Sequence, residues 1–302
     1  MKTDTHKSYK ERMLRVLPYI QKHLDEKVSL EDLARVACFS PFHFHRIFKG
    51  MMGESLKEHI RRLRLERAGI QLRKSSSSIT QIAFQAGYGA LESFIRAFKE
   101  MFGLAPSEYR NHYQSLGQDP VLSGMHYFPG EDNLKLKTIR PGGKTMDVRI
   151  ETFGPVKVAF MRHTGSYQTC GQTWGKFAQW AASRGLFGKG KPIIGASYDD
   201  PEVTPPERCR YDCCIQVDDD FMAEGEIGIQ TIGGEEYAVY THKGPYGKVA
   251  ESFQKLIGEW LPRSGRDAKM EACLEIYRDE DCSKVPEEEL TTDIMVPLHP
   301  EK

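Results

Sequence analysis

Hydrophobic side chains in the first third of the chain recur with the 3.6-residue period of an α-helix. Two segments share this pattern, SLEDLARVACFS at 29–40 and SITQIAFQAGYG at 78–89. Each opens with a serine three residues before an Asp or a Gln, which is typical of a helix N-terminus. Their apolar positions are Leu30, Leu33, Ala34 and Ala37 in the first copy, and Ile79, Ile82, Ala83 and Ala86 in the second. The pattern predicts two equivalent helices.

A second amphipathic stretch follows each of these helices and is also repeated. The chain reads RIFKGMMG at 46–53 and RAFKEMFG at 96–103. Helical spacing predicts buried positions at Phe44, Ile47 and Phe48, and at Phe94, Ala97 and Phe98. A helix, a short turn and a helix with a basic exposed side form the helix-turn-helix arrangement, whose second helix fits the major groove of DNA. The segment 54–74 between the copies has strong helix formers and no proline, which predicts a helix that holds the two units apart.

The second copy carries a family signature. The segment AFQAGYGALESFIRAFKEMFGLAPSEYR at 83–110 resembles the AraC/XylS-type transcription regulators, and upstream matches extend the resemblance to about residues 9–113. The resemblance implies an all-α N-terminal domain with two helix-turn-helix units joined by a linker helix, and recognition helices at about 41–49 and 90–99. Two positions depart from the family pattern. Pro18 either kinks the first helix or makes it begin near residue 17, and Cys38 stands in the first turn where small residues are usual.

The same resemblance places DNA-reading side chains on both recognition helices. By position they are Phe42, His45 and Arg46 on the first helix, and Leu91, Glu92, Ile95 and Arg96 on the second. Either arginine could bind guanine, contact a phosphate or stay solvated. Phe42 could touch a thymine methyl or belong to the core, and Glu92 suits a cytosine amine better than a phosphate. His43 and His45 do not share a helix face, which argues against a metal site there.

The second half of the chain contains another duplication. VAFMRHTGSYQTCGQTWGKFAQWAASRG at 158–185 matches AVYTHKGPYGKVAESFQKLIGEWLPRSG at 238–265. In each copy a β-rich run leads to G-x-Y and then to a helical pattern. Two short strands follow, IIGASYDD and YDCCIQV in the first copy, and CLEIYRDE and TDIMVPL in the second. Strand–helix–strand–strand, twice, predicts an α+β domain with antiparallel sheets, in which the two modules meet around a pseudo-twofold axis with a groove between them.

This half resembles the GyrI-like domain, the effector-binding domain of several multidrug-responsive regulators. The resemblance covers about 146–298 and rests on H-x-G-x-Y, E-I-Y-x-x-E and P-E-E-E-L-x-T-D-I-x-V-P-L. It implies a glutamate with aromatic neighbours in the central groove, where lipophilic cations bind. The candidate is Glu275, because it interrupts an apolar strand and shares a face with Tyr277; Ala196 holds the matching place in the first copy. A solvated sheet face is the alternative for Glu275. Further candidates, which could also be core residues, are Tyr167, Tyr246, Tyr198 and Trp180.

Charge divides the chain as the two repeats do. Residues 1–115 hold 20 Lys and Arg against 12 Asp and Glu, while the remainder holds 22 against 30. The basic part suits phosphates, and the acidic part suits a neutral or cationic ligand. We therefore predict a DNA-binding domain at 1–113, a Gly-, Pro- and polar-rich linker at 114–145, and a small-molecule-binding domain at 146–302.

The predicted function is a transcription regulator that binds double-stranded DNA and a small lipophilic, neutral or cationic effector, with RNA polymerase as an open third partner. The polar N-terminus and the lack of an apolar run of about 20 residues predict a cytoplasmic protein and no membrane partner. No cofactor is expected. A soft-metal site at Cys209, Cys213 and Cys214 is disfavoured, because adjacent strand residues point to opposite faces. Two alternatives stay open, a hydrolase that uses Glu275 and a tyrosine as acid and base, and a drug-sequestering protein.

Overall fold

The computed structural model of the protein describes residues 2–26, 28–116, 146–188, 190–269, 271–279 and 281–301. They form two compact units. The first unit contains the described parts of 1–9, 40–51 and 139–302, and the second those of 10–39 and 52–138. From residue 117 onward, the predicted linker at 114–145 lies outside the described residues.

The described chain up to residue 116 is helical, which confirms the predicted all-α N-terminal part. Its helices are α1 (Lys2–Lys22), α2 (Leu30–Ala37), α3 (Pro41–Met52), α4 (Leu56–Lys74), α5 (Ile79–Gln85), α6 (Leu91–Phe102) and α7 (Pro106–Leu116). Helix α1 runs through Pro18, so the expectation that it begins near residue 17 is wrong. Helix α4 is the predicted linker helix.

Serine caps begin three of these helices. The Ser29 hydroxyl accepts a hydrogen bond from the Asp32 amide at the start of α2. At α5, Ser78 and Gln81 form the full reciprocal capping box expected from the sequence. A capping box at the start of α4, between Ser55 and Glu58, was not predicted. Each cap satisfies amides that the first helical turn leaves without a partner, a contribution of about 1 kcal/mol.

The turn between the helices of each repeat needs a left-handed residue. Gly87 supplies it in the second copy with φ of +81°, and Cys38 supplies it in the first with φ of 55°. A cysteine there costs about 1 kcal/mol more than glycine, because its β-carbon crowds the backbone. The departure at Cys38 therefore preserves the turn geometry at a small cost in stability.

A hydrophobic core in the second unit fixes α6 against α4, α5 and α7. Three of its members, Phe94, Phe98 and Tyr109, form a chain of aromatic contacts with ring centroids 5.5 and 5.2 Å apart. The buried set includes the apolar positions predicted for α5 and α6 except Ile79, which is partly buried against it. It consists of Leu65, Ala68, Leu72, Ile82, Ala83, Ala86, Phe94, Ala97, Phe98 and Tyr109.

The described strands of the first unit build one antiparallel sheet of eight strands, which confirms the predicted α+β class. The strands are β1 (Arg149–Phe153), β2 (Val156–Thr164), β3 (Ile193–Ser197), β4 (Arg210–Gln216), β5 (Gly228–Ile232), β6 (Glu235–Lys243), β7 (Cys273–Tyr277) and β8 (Thr291–Leu298), in the order β1-β6-β8-β7-β3-β4-β2-β5. Helix α8 (Cys170–Ser183) belongs to the first module. In the second, α9 (Val249–Lys255), a wide π turn (Leu256–Trp260) and α10 (Leu261–Ser264) follow one another.

The two modules meet where β3 pairs with β7 at the centre of the sheet. Each predicted strand–helix–strand–strand module is present, but each is preceded by a strand that the sequence analysis missed. These two strands are exchanged between the modules: β1 pairs with β6 of the second module, and β5 pairs with β2 of the first.

Candidate functional site

The centre of the sheet carries Glu275. On β7 it lies directly opposite Gly195 of β3. The sequence comparison had matched Glu275 to Ala196, and the register corrects this: Ala196 pairs with Asp212, whereas Ile276 pairs with Asp293. Since Asp212 and Asp293 hold equivalent places in the two modules, Gly195 is the counterpart of Glu275. The chain between β7 and β8 is one residue longer than the chain between β3 and β4, which accounts for this shift of one residue.

Gly195 leaves the space that the Glu275 site occupies. A β-carbon at residue 195 would stand 1.9 Å from the Tyr211 hydroxyl oxygen and 3.3 Å from Oε2 of Glu275. The first distance is far below any contact that real β-carbons make. One module therefore supplies the carboxylate, and the other supplies a bare backbone beside it.

Two tyrosine hydroxyls meet the Glu275 carboxylate. The Tyr277 hydroxyl lies 2.8 Å from Oε2 and the Tyr211 hydroxyl lies 3.0 Å from it, while the two hydroxyl oxygens are 2.7 Å apart. Tyr211 is buried, and Glu275 and Tyr277 are partly exposed. The carboxylate thus has two hydroxyl donors at Oε2 and belongs to a residue that stays partly exposed.

Burial raises the pKa of Glu275 above its ordinary value. Hydrogen bonds from Tyr277 and Tyr211, and the positive charge of Arg46 on α3, oppose this rise in pKa. The pKa values of Tyr211 and Tyr277 lie well above the ordinary range, chiefly through burial and next through the charge of Glu275. Both tyrosines therefore stay protonated at neutral pH and act as donors.

Aromatic rings surround the two tyrosines that bind the carboxylate. The Tyr277 ring meets Trp174 edge-on at 5.4 Å and Tyr246 at 5.2 Å between centroids. The Tyr211 ring meets Tyr167 at 5.7 Å and Trp174 at 6.4 Å. Of the sequence-predicted residues, Tyr277, Tyr246 and Tyr167 come together with Glu275.

Tyr211 and Trp174 were missed by the sequence analysis. Tyr211 is the first apolar-face residue of YDCCIQV, in register with Ser197 on β3. Trp174 follows Tyr167 by two helical turns. The periods of the strand and the helix indicate which face of β4 carries Tyr211 and which face of α8 carries Trp174. Only the order of the strands shows that these two faces meet at Glu275.

The remaining two predicted ligand residues make their described contacts elsewhere. The Tyr198 hydroxyl donates to Asp212 Oδ2 at 2.8 Å, and Asp212 pairs with a residue of β3 on the face opposite Glu275. The Trp180 indole nitrogen donates to Glu224 at 3.0 Å, and its ring stacks on Phe177 at 5.4 Å.

The H-x-G-x-Y motif acts as a clamp at the start of each module's helix. In the first module the His163 ring nitrogens lie 3.0 Å from the Thr173 hydroxyl and 3.0 Å from the Ser166 carbonyl oxygen. In the second, His242 lies 2.8 Å from the Ser252 hydroxyl and 3.2 Å from the Pro245 carbonyl oxygen. Each histidine thus ties the turn to the helix and fixes the tyrosine that follows.

The first set of predicted DNA-reading residues lies on α3 within the first unit. His45 and Arg46 are 4% and 8% exposed. The His45 Nδ1 atom is 3.2 Å and the Arg46 Nε atom 3.4 Å from Oδ2 of Asp200. The Arg46 guanidinium also lies over the rings of Phe42 at 4.7 Å and of Phe253 at 5.6 Å.

The second set lies on α6 within the second unit. Glu92 and Arg96 are exposed, whereas Leu91 and Ile95 are partly buried against the core that holds this helix. Gly103, with φ of 76°, ends α6 in the left-handed conformation. Of the four predicted DNA-reading residues on α6, the two exposed ones are therefore one acidic and one basic side chain.

Within the described part of the chain, no three His, Cys, Asp or Glu side chains group as a metal site. Cys209, Cys213 and Cys214 are buried, and burial raises the pKa of each thiol. A helix long and apolar enough to cross a membrane is likewise not found among the described residues.

Comparison with known proteins gives a match for each half of the chain. Residues 146–299 match the model of the GyrI-like small molecule binding domain, and residues 33–112 match that of a helix-turn-helix domain. The probable transcriptional regulator YgiV of Escherichia coli is 31% identical over 161 residues, which cover 51% of this chain and 97% of YgiV.

Two further relatives are longer than their matched parts. The uncharacterized HTH-type transcriptional regulator YbfP of Bacillus subtilis is 32% identical over 146 residues, 44% of this chain and 50% of YbfP. The right origin-binding protein of E. coli is 33% identical over 109 residues, 35% of this chain and 38% of that protein. The matches thus span about half the length of YbfP and less of the right origin-binding protein.

Proposed function

The chain belongs to the GyrI-like family of small-molecule-binding domains, which it joins to an AraC-type helix-turn-helix domain, and we propose that it is a transcription regulator controlled by a lipophilic cation. Both family resemblances seen in the sequence are confirmed by these matches. Relatives named as transcriptional regulators support the role in transcription. Double-stranded DNA is the proposed partner of the helix-turn-helix units, and RNA polymerase is a partner at the regulated promoter.

One observation carries the proposal for the ligand. A partly exposed glutamate with a raised pKa stands on β7 near the centre of the sheet, and aromatic rings pack around the two tyrosines that bind its carboxylate. An anion that burial disfavours gains free energy when a cation approaches, and aromatic faces bind cations that carry apolar groups. The Glu275 site thus has the chemistry for a lipophilic monocation.

Titration calorimetry with the full-length protein tests this site. Tetraphenylphosphonium serves as the cation, and triphenylphosphine oxide as a neutral molecule of related shape. Glu275→Gln keeps the shape of the side chain and removes its charge. We expect the cation to bind this variant more weakly by at least about 1–2 kcal/mol, the scale of a charge-assisted contact, with the neutral molecule little affected.

Glu288→Gln provides the matched control, because Glu288 is exposed and the change in charge is the same. This variant should bind the cation as the parent protein does. Equal cation affinity in the parent and the Glu275→Gln variant would show that Glu275 is not the anchor.

A hydrolase is the second candidate, and the hydrogen bonds of Tyr211 and Tyr277 to Glu275 favour it. A tyrosine hydroxyl could pass a proton to a leaving atom while the Glu275 carboxylate activates water. The calorimetry probes carry no bond that a hydrolase could cleave, so turnover is measured on styrene oxide, whose strained ring water opens to a diol that mass spectrometry detects. Diol that forms faster with the parent protein than with the Glu275→Gln variant would favour the enzyme, and a rate equal to that without protein would favour the effector role.

A further inference from the structure

Helix α3, which carries the first set of predicted DNA-reading residues, packs against the GyrI-like domain within the first unit. Its basic side chains meet the turn that follows β3. Asp200 accepts from His45 at 3.2 Å and pairs with Arg46 at 3.4 Å. One helical turn further, Lys49 lies 2.7 Å from both carboxylate oxygens of Glu202. We name Asp200 and Glu202 the acidic turn.

A close backbone contact reinforces these ion pairs. A β-carbon on Gly50 of α3 would stand 2.1 Å from the carbonyl oxygen of Gly258 in the π turn, and one on Gly258 would stand 2.7 Å from the Arg46 carbonyl oxygen. The Gln254 side chain donates to that same Arg46 oxygen at 3.0 Å. Two glycines therefore allow α3 and the π turn to approach more closely than any other residue pair would permit.

This packing occupies the groups that DNA would need. A recognition helix reads bases through side chains that project into the major groove, but Arg46 and His45 are buried. The carboxylate of Asp200 takes the place beside Arg46 that a phosphate or a guanine edge would take. Bound in this way, α3 and DNA exclude each other.

The packing is also incompletely satisfied. Nη1 of Arg46 and Nε2 of His43 are buried and have no hydrogen-bond partner among the residues that the structure describes. Buried polar groups without partners cost stability that they regain on exposure to water or to DNA. The acidic turn therefore holds α3 in an arrangement that can open.

The acidic turn is connected to the ligand site. Tyr167 accepts a hydrogen bond from the Asp199 amide at 3.0 Å, and its ring packs on Tyr211, which hydrogen-bonds Glu275. The positive charge of Arg46 also lowers the pKa of Glu275, against the larger effect of burial. A cation bound at Glu275 would repel Arg46 and replace it as the counter-charge.

From these contacts we propose that the acidic turn withholds α3 from DNA, and that a cation at Glu275 releases it. The proposal rests on the function proposed above for the Glu275 site and adds the direction of control: ligand binding strengthens DNA binding. Its partner surface is the chain's own recognition helix. The acidic turn acts as an internal competitor of DNA for that helix.

The test uses the full chain and a DNA site selected from a random pool, with binding followed by fluorescence anisotropy. Asp200→Asn combined with Glu202→Gln removes the charges that hold α3, and Gly258→Ala separates the backbones without touching any charge. Neither change alters a predicted DNA-reading residue. The apparent affinity for DNA is reduced in proportion to the fraction of molecules in which α3 is free to bind. Each variant should therefore bind the selected site about tenfold more tightly than the parent.

The control variants make the same types of substitution at positions away from the contact of α3. Asp220→Asn removes an exposed charge in the same domain, and Gly175→Ala adds a methyl group to a helix where no atom lies within 4 Å. Both should bind DNA as the parent does. Tetraphenylphosphonium should tighten DNA binding by the parent and by these controls. It should leave the DNA affinity nearly unchanged in Asp200→Asn with Glu202→Gln and in Gly258→Ala, which we call the two released variants.

Hydrogen exchange gives a readout without DNA. Amides of 41–51 should exchange faster in both released variants, and in the parent once the cation is added. Unchanged DNA affinity and unchanged exchange in both variants would overturn the proposal. If calorimetry still places the cation at Glu275 in that case, the proposed function stands and only the control of α3 is wrong. If the variants tighten DNA binding but the cation does not bind at Glu275, the proposed effector site fails, and with it the release step.

Discussion

Glu275 lowers the stability of the fold at neutral pH and is also the proposed binding residue for a cation. Its carboxylate is disfavoured by burial, is held by two tyrosine hydroxyls, and belongs to a residue that stays partly exposed. A glutamate whose pKa is higher in the folded than in the unfolded state adds most to the free energy of unfolding at pH values below its ordinary pKa. This contribution is lost as the pH rises through the pKa of the folded state. At neutral pH the residue therefore lowers stability, as expected of a site that waits for a positive charge.

Cation binding should depend on pH with the opposite sign to this stability effect. Only the ionised carboxylate attracts the cation, so affinity should fall as pH drops through the raised pKa of Glu275, at higher pH than for an ordinary glutamate near 4.3. Calorimetry with tetraphenylphosphonium between about pH 4 and pH 8 measures this. The Glu275→Gln variant should show a flat profile, and a parent profile equally flat over this range would contradict the raised pKa.

At the residue scale, the sequence predicts which residues of a single strand belong to the site better than it predicts which residues of other elements pack against them. Glu275 and Tyr277 share a face through the two-residue period of a strand, and the structure shows them hydrogen-bonded. Tyr211, Trp174 and Gly195 approach this pair across strand boundaries and from a helix. Their positions depend on the register of β3 with β4 and β7, which local periodicity does not determine.

The helices are the elements that the sequence predicts most completely. Helical apolar spacing and serine caps gave α2 and α5, and the absence of proline indicated α4. Strands β1 and β5 were missed because their burial pattern shows little alternation, with mostly partly buried or exposed side chains. Such edge strands are held by pairing with a partner rather than by a buried face, so their own sequence carries a weak signal.

Helix α6 carries a prediction of its own. Arg96 is exposed on the face that would enter the groove, so Arg96→Ala should cost about 1–3 kcal/mol at the selected site if the side chain reads a base. Anisotropy measurements on the selected site and on a random duplex separate the two interpretations. A loss confined to the selected site identifies base reading, whereas equal losses on both would make Arg96 a phosphate contact.

At the scale of the whole molecule, charge separates along the chain. The excess of basic residues before residue 116 and of acidic residues after it gives a net charge of zero. The acidic turn shows that part of this negative charge is used within the first unit, where it meets basic groups of α3. The net charge of zero is therefore the sum of a basic and an acidic part of the chain, and some of these opposite charges form ion pairs within the first unit.

Salt should weaken DNA binding steeply, because the basic side chains release counterions from phosphates. The slope of log affinity against log salt counts the phosphates neutralised, and it should be about one to two contacts larger for Asp200→Asn with Glu202→Gln, in which Lys49 and Arg46 become available. Asp220→Asn should keep the parent slope. A slope near zero in the parent would contradict binding through the basic half.

The exchange of β1 and β5 bears on how such a protein could arise and be divided. Each half of the sheet completes its outer edge with a strand borrowed from the other half, so the two copies are interlocked like partners in a domain-swapped dimer fused into one chain. A gene fragment that encodes only one copy would leave one strand without its partner and one edge uncovered. We therefore expect the two copies to fold only together, although single residues such as Glu275 and Gly195 differ between them.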